Sequence, residues 1–202
     1  MTEAARKLMT VEEFFDWCRT QDERYELVDG SPVPLRAMSG ASMSHDAIAV
    51  NLIVGLGNQL RGTGCRPTTP DAGLRTAIRR VRRPDVTIEC APPSATSYEA
   101  KNPIAVLEIL SPTTRKNDRN IKLPEYLRHP SLRTVVLIDP DVMDVLVYFR
   151  EAGGGEAGGD WQDERLYLPE HRLQLRGTPA VLTLADIYEG VALPVGLPPP
   201  RA

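Results

Sequence analysis

The chain has 202 residues, a formal net charge of -3, and 42% apolar and 25% charged side chains. Those proportions belong to a globular domain and exclude disordered and fibrous classes, and the length suits one compact domain with a sizeable core. No apolar run approaches the roughly 18 residues of a membrane helix, the N-terminus leads into an acidic amphipathic stretch rather than a secretory leader, and the negative balance argues against indiscriminate polyanion binding. A cytoplasmic protein with no membrane partner is expected, folded as a single domain over 1–193 with a frayed, proline-rich tail at 194–202.

Thr10 with Glu13 three residues on forms a capping box, and Val11, Phe14, Phe15 and Cys18 follow at helical spacing, so a helix is expected over 10–20. Tyr25 to Val28, Asp29-Gly30, then Ser31 to Arg36 predicts a β-hairpin. Ser44 is read as the cap of a second helix, whose inner face is Ile48, Leu52, Leu56 and Leu60 and which ends at Gly62-Thr63-Gly64. Residues 65–90 look extended, and Val86 to Cys90 alternates like a strand with one buried face. Ile104 to Leu110 is nearly all apolar, which predicts a central strand covered on both sides and stopped by Ser111-Pro112. Asp118 is read as the cap of a helix over 118–129 with Leu123, Tyr126 and Leu127 inside; Pro124 should kink it or delay its start. Thr134 to Asp139 and Val142 to Phe149 form another hairpin, and Gly153 to Gly159 reads as a mobile loop tip. A closing helix over 184–189 completes the order of a mixed α/β (α+β) domain.

Cys18, Cys65 and Cys90 are odd in number and widely spaced, which supports neither a disulfide framework nor a zinc knuckle; Cys90 reads as a small buried apolar residue. The basic residues are 20 arginines and 4 lysines, a bias that GC-rich coding would also produce.

Glu108 interrupts the apolar central strand, where an ionised carboxylate needs a cation, a proton or a metal ion. Asp85, just after Pro84 and 23 positions earlier, begins the neighbouring strand. Two carboxylates entering from adjacent strands repel unless a cation sits between them, and their oxygens suit a hard ion such as Mg²⁺. Lys122, one helical turn from both Asp118 and Tyr126, belongs either to a solvated face or to the Glu108 carboxylate. Glu26 and His45 have similar double readings, surface carboxylate or site residue, packed helix-start histidine or accessory group. His129 reads as a C-terminal helix cation. Arg75, Arg79, Arg80, Arg82 and Arg83 lie within nine residues and form either a solvated strand pair or the footprint of a phosphate backbone.

In order along the chain, Thr10-Val11-Glu12-Glu13-Phe14, Tyr25 to Gly30, His45 with Asn51 and Leu52, Arg83-Pro84-Asp85-Val86, Val106 to Pro112, Asp118-Arg119 with Lys122 and Tyr126, and Leu184 to Gly190 resemble the Uma-two family of restriction-endonuclease-like proteins, within the PD-(D/E)XK nuclease superfamily. The resemblance implies a restriction-endonuclease-like fold, a mixed central sheet flanked by helices with added β-hairpins. It implies that Asp85 and Glu108 bind Mg²⁺ or Mn²⁺, that Glu26 is a further acidic site residue, and that Lys122 replaces the motif lysine, since Leu110 stands where that lysine is usual. A metal-dependent endonuclease acting on DNA is then expected, with a homodimer to cut two strands and no nucleotide cofactor. The alternatives are a non-catalytic nucleic-acid-binding or regulatory module on the same scaffold, or a hydrolase of a small phosphorylated substrate.

Overall fold

A computed structural model describes residues 8–35, 42–112, 114–151 and 160–193. The expected tail at 194–202, the glycine-rich stretch and Arg36 lie outside these. The first helix, α1 (Val11–Cys18), has the expected capping box, with Thr10 Oγ1 accepting from Glu13 N and Glu13 Oε2 accepting from Thr10 N. Strands β1 (Tyr25–Val28) and β2 (Ser31–Pro34) form the first hairpin. Both turn residues are left-handed, Asp29 at φ 49° and Gly30 at φ 83°, as the tight hairpin turn requires.

The second helix, α2 (Met43–Gln59), is capped by Ser42 rather than Ser44. Ser42 retains extended backbone and its Oγ accepts from His45 N, so His45 is the third helical residue. Ile48, Leu52, Leu56 and Leu60 are buried as expected. Then follow β3 (Arg66–Thr68), β4 (Leu74–Ala77), β5 (Arg80–Arg82), β6 (Val86–Glu89) and β7 (Pro103–Ile109). Every residue of β6 is buried, so it is covered on both faces rather than one.

Strands β8 (Thr134–Asp139), β9 (Asp144–Phe149) and β10 (Gln162–Leu166) complete a six-stranded sheet of order β10-β9-β8-β7-β6-β3. Only β7 and β8 run parallel among its neighbours, joined by the expected helical crossover. A four-stranded sheet, β2-β1-β5-β4, packs α1 beneath it through Val11, Phe14, Leu27 and Val81. A ribbon of β11 (Arg172–Gln174) and β12 (Val181–Thr183) leads into a short helix that spans Leu184–Ile187. The domain is a mixed α+β fold of sheets flanked by helices.

Alternation along β7 divides the core. Ala105, Leu107 and Ile109 face α2, while Val106 and Leu110 face the crossover, and Glu108 shares their side. The crossover begins at Arg115 rather than Asp118. It comprises α3 (Arg115–Asn117), a π-helical turn (Asp118–Lys122) and α4 (Leu123–Leu127). In an unbroken α-helix the Pro124 ring would meet the carbonyl of Asn120. The wider turn relieves that conflict, with Leu123 N donating to Asp118 O five residues back. Asp118 is therefore not a cap but an interior, buried residue.

Cys65 and Cys90 form a disulfide, contrary to the expectation from their spacing. The antiparallel register pairs Arg66 with Glu89, and one step outward sets Cys65 opposite Cys90. Among the described residues no helix is long and apolar enough to cross a membrane.

Gly73 lies where α1 meets the β4–β5 hairpin; a Cβ there would stand 2.8 Å from Val81 Cγ1 and 2.9 Å from the Phe15 ring. Both neighbours are stiff, so Gly73→Ala should destabilise the fold by about 1–3 kcal/mol, read as a lower urea midpoint at unchanged slope.

Candidate active site

The register that pairs Val86 with Leu107 places Asp85, one residue before β6, opposite Glu108. Asp85 is fixed by its Oδ2, which accepts from Ile109 N at 2.7 Å. Glu108 is 3% exposed, and its Oε1 accepts from Tyr126 Oη at 2.6 Å and Lys122 Nζ at 3.2 Å. Lys122 and Tyr126, four residues apart on the crossover, both reach that one carboxylate, and Asp118, four residues earlier, meets Lys122.

Lys122 is buried, and its ammonium is shared: Asp118 Oδ1 at 3.0 Å, Glu108 Oε1 at 3.2 Å and Glu26 Oε1 at 3.7 Å. Burial works against its charge, but Glu108, Glu26 and Asp118 outweigh it and hold the ammonium protonated well above the ordinary lysine range. Glu108 is pushed up to about 8, first by burial and then by Asp85 and Asp118, against the pull of Lys122 and Tyr126. The two effects agree: one cation divided among several carboxylates stays charged while Glu108, deeply buried among them, resists ionisation. Asp118 Oδ1, though ion-paired, is buried without a hydrogen bond of good geometry.

Glu26 closes the site from β1. Its Oε1 accepts from Arg83 N at 3.1 Å and its Oε2 from Arg82 Nη1 at 2.9 Å. Arg82, 2% exposed, also holds Glu125 of α4 through Nε at 2.8 Å and Nη2 at 2.7 Å. Burial opposes ionisation of Glu125, and Arg82 outweighs it, keeping the carboxyl below the usual range. His45 reaches the site from α2, its Nε2 3.5 Å from Asp85 Oδ2. Burial disfavours its proton, but Asp85, the Ile109 backbone and Glu108 outweigh that and raise it above the ordinary imidazole value.

Glu26, Asp85, Glu108, Lys122 and His45 thus come together in one place. The five arginines do not form a phosphate-facing patch. Arg82 and Arg83 are buried, the latter donating to the carbonyls of Tyr25, Pro70 and Asp71. Arg75 pairs with Glu12 and Glu99, and Arg80 with Asp29 and Glu125. Arg79 is the exposed member. His129 is not a helix-end cation either: burial and Arg150 push its pKa down, and its Nδ1 lies 3.2 Å from Ser131 Oγ. The sequence reading missed Asp118 and Glu125 as site residues. The spacing Asp118, Lys122, Tyr126 was the available signal for the first; nothing in the local sequence marks the second.

Among the described residues no three His, Cys, Asp or Glu side chains group closely enough to hold a metal alone. The surplus of hard oxygen donors over cations, with Asp118 Oδ1 lacking a hydrogen bond, nevertheless fits a divalent ion. Asp85 and Glu108 would supply two oxygens, and a hard ion of this kind commonly completes its shell from water and phosphate.

The profile of the Uma2 family, described as "Putative restriction endonuclease", matches residues 11–186. A protein of Synechocystis sp., "Uncharacterized protein slr1290", is 28% identical over 186 residues, covering 91% of this chain and 93% of that protein. A crystal structure of a putative nuclease belonging to DUF820 from Anabaena variabilis superposes with a TM-score of 0.68 at 17% identity, covering 91% of this chain and 99% of that one, which establishes the likeness of fold. With 176 of its residues spanned by that profile, the chain belongs to the Uma2 family of putative restriction endonucleases.

Proposed function

We propose that the protein is a Mg²⁺- or Mn²⁺-dependent endonuclease that hydrolyses phosphodiester bonds in DNA. The reading rests on one arrangement, Asp85 opposite Glu108 with a single buried ammonium, Lys122, anchored by Asp118 beside them. Family membership supports the nuclease class. Asp85 and Glu108 would hold the metal, and the ion, when bound, supplies the charge that activates water and stabilises the departing oxygen. Lys122 neutralises the phosphoryl oxygens or orients the attacking water. Glu26, engaged by Arg82 and Arg83, acts on Lys122 from the opposite side. Tyr126 and Lys122 both donate to Glu108 Oε1, so Oε2 is the oxygen that would be left for an ion. Of the five clustered arginines, Arg79 is the one exposed to a DNA backbone. Hydrolysis requires no nucleotide cofactor, and a pair of copies would cut both strands of a duplex in the cytoplasm. A non-catalytic module remains the second reading, favoured by the depth at which Glu108 is buried.

Calorimetric titration of Mn²⁺ into the wild type and Glu108→Ala, with supercoiled plasmid incubated in parallel, separates the two. A nuclease binds the ion and nicks the plasmid, and the variant does neither. No heat and no nicking at millimolar metal would leave the scaffold reading. Lys122→Met should keep Mn²⁺ binding but slow nicking about 10²–10³-fold at saturating metal, the usual loss for one charge-stabilising donor. Equal rates in the two would remove Lys122 from the chemistry.

Metal-free protein has its own signature. The Glu108 carboxyl, raised from 4.5 to about 8, keeps in the folded state a proton that the unfolded chain releases, so its contribution makes stability fall as pH rises from 4.5 to 8. Glu108→Gln should flatten that fall in thermal melts across the same window; identical slopes would show that Glu108 ionises normally.

A further inference from the structure

Helix α2 carries apolar residues on every side, although only one side is covered. His45, Ile48, Leu52 and Leu56 are buried. On the opposite face Met43 is 82% exposed, Val50 50% and Val54 56%. With Ala47 these fall at i, i+4, i+7 and i+11, one unbroken apolar seam along three turns. Surface helices ordinarily place charged and polar side chains there, and a contiguous exposed apolar stripe marks a contact.

At the C-terminal end of the same helix the surface turns concave. An open groove of about 500 Å³ lies between α2 and the β3 edge, lined by Gly57, Leu60, Cys65, Pro67, Cys90 and Pro93. The most exposed side chain of the seam, Met43, stands at the other end, 14 residues and roughly 21 Å away at 1.5 Å per residue. A knob and a hole at opposite ends of one face are complementary to the same face turned end for end. Charge follows the same order. Asp46 and Arg61, both exposed, flank the two ends of the seam with opposite sign. Antiparallel copies bring Asp46 within about one helical turn of the partner's Arg61, inside the reach of its side chain, whereas parallel copies would set like charges together.

We propose that this face of α2, with its groove, is the surface through which two copies of the chain pair about a two-fold axis. An axis near Leu52 places Val50 against the partner's Val54, Ala47 against the partner's Gly57, and Met43 at the mouth of the partner's groove. The pairing is isologous, so each contact occurs twice. A stable dimer takes about 800 Å² from each partner. One helix seam supplies less than that, and insertion of Met43 into the groove extends it. The inference rests on the pair of copies stated above but not on the hydrolytic chemistry.

Sedimentation equilibrium of the full chain over about 1–100 µM tests it, the range in which such an interface is populated. The wild type should be a dimer. Val50→Glu should raise the dissociation constant at least about 100-fold, because symmetry buries the unpaired carboxylate twice. At a concentration low enough for the wild type to be monomeric the two should melt alike, since Val50 is exposed in a single copy. Asp46→Arg should weaken the dimer, and adding Arg61→Asp should restore it, a rescue that requires the antiparallel register. A monomeric wild type throughout the range would overturn both the surface and the pair of copies, leaving Mn²⁺ binding and nicking to be judged on their own. A dimer unaffected by Val50→Glu and by the charge exchange would overturn the surface alone.

Discussion

An ionisable carboxylate sealed inside a central β-strand has to be matched by the layers around it, and Glu108 imposes that requirement on the whole domain. A lone charge at that depth would cost several kcal/mol. The crossover helix meets the requirement by presenting Lys122 and Tyr126 to one oxygen. The two lie four residues apart on one face of the crossover, and the π-helical turn that ends at Lys122 lies where Pro124 forbids ordinary helix. A backbone irregularity and a buried charge therefore belong to one solution.

Arg82 extends that solution to the second sheet. It bridges β1 and α4 by pairing with Glu26 on one side and Glu125 on the other. Buried pairs of this kind contribute little net stability compared with apolar packing, but each is expensive to leave half made. The consequence is specificity of arrangement: the four-stranded sheet must sit over the crossover helix in the one register that satisfies all three groups. Thr76 donating to Glu125 and Arg80 joining both Asp29 and Glu125 reinforce it.

Much of this was legible in the sequence wherever a residue broke the pattern of its own element. Glu108 stood out because six apolar neighbours surround it, and the Asp-Gly turn and the Thr10 cap have local mechanisms. What local pattern could not reveal was long-range register. Asp118 reads as a cap because aspartate before a helix usually is one, and only the three-residue earlier start at Arg115 makes it interior. Cys65 and Cys90 look unrelated until β3 is known to pair with β6. The arginines between Arg75 and Arg83 resemble a nucleic-acid footprint because linear clustering is blind to the fold, which buries Arg82 and Arg83 and leaves Arg79 exposed in the turn between β4 and β5. Ser42 and Ser44 are equally good caps on composition, and backbone geometry decides between them.

The π-helical turn also fixes the spacing between the ends of the crossover. Removing one residue from Asp118–Lys122 would close the wide turn, leave the phase of α4 nearly unchanged and bring the Pro124 ring back against the carbonyl four residues before it. Glu125 and Tyr126 directly follow that proline, so the strain of one deletion would fall on the residues that hold Arg82 and Glu108. Length in this segment is thus constrained more tightly than residue identity at its solvent-facing positions, such as Asn120 and Ile121, where substitution leaves the wide turn intact.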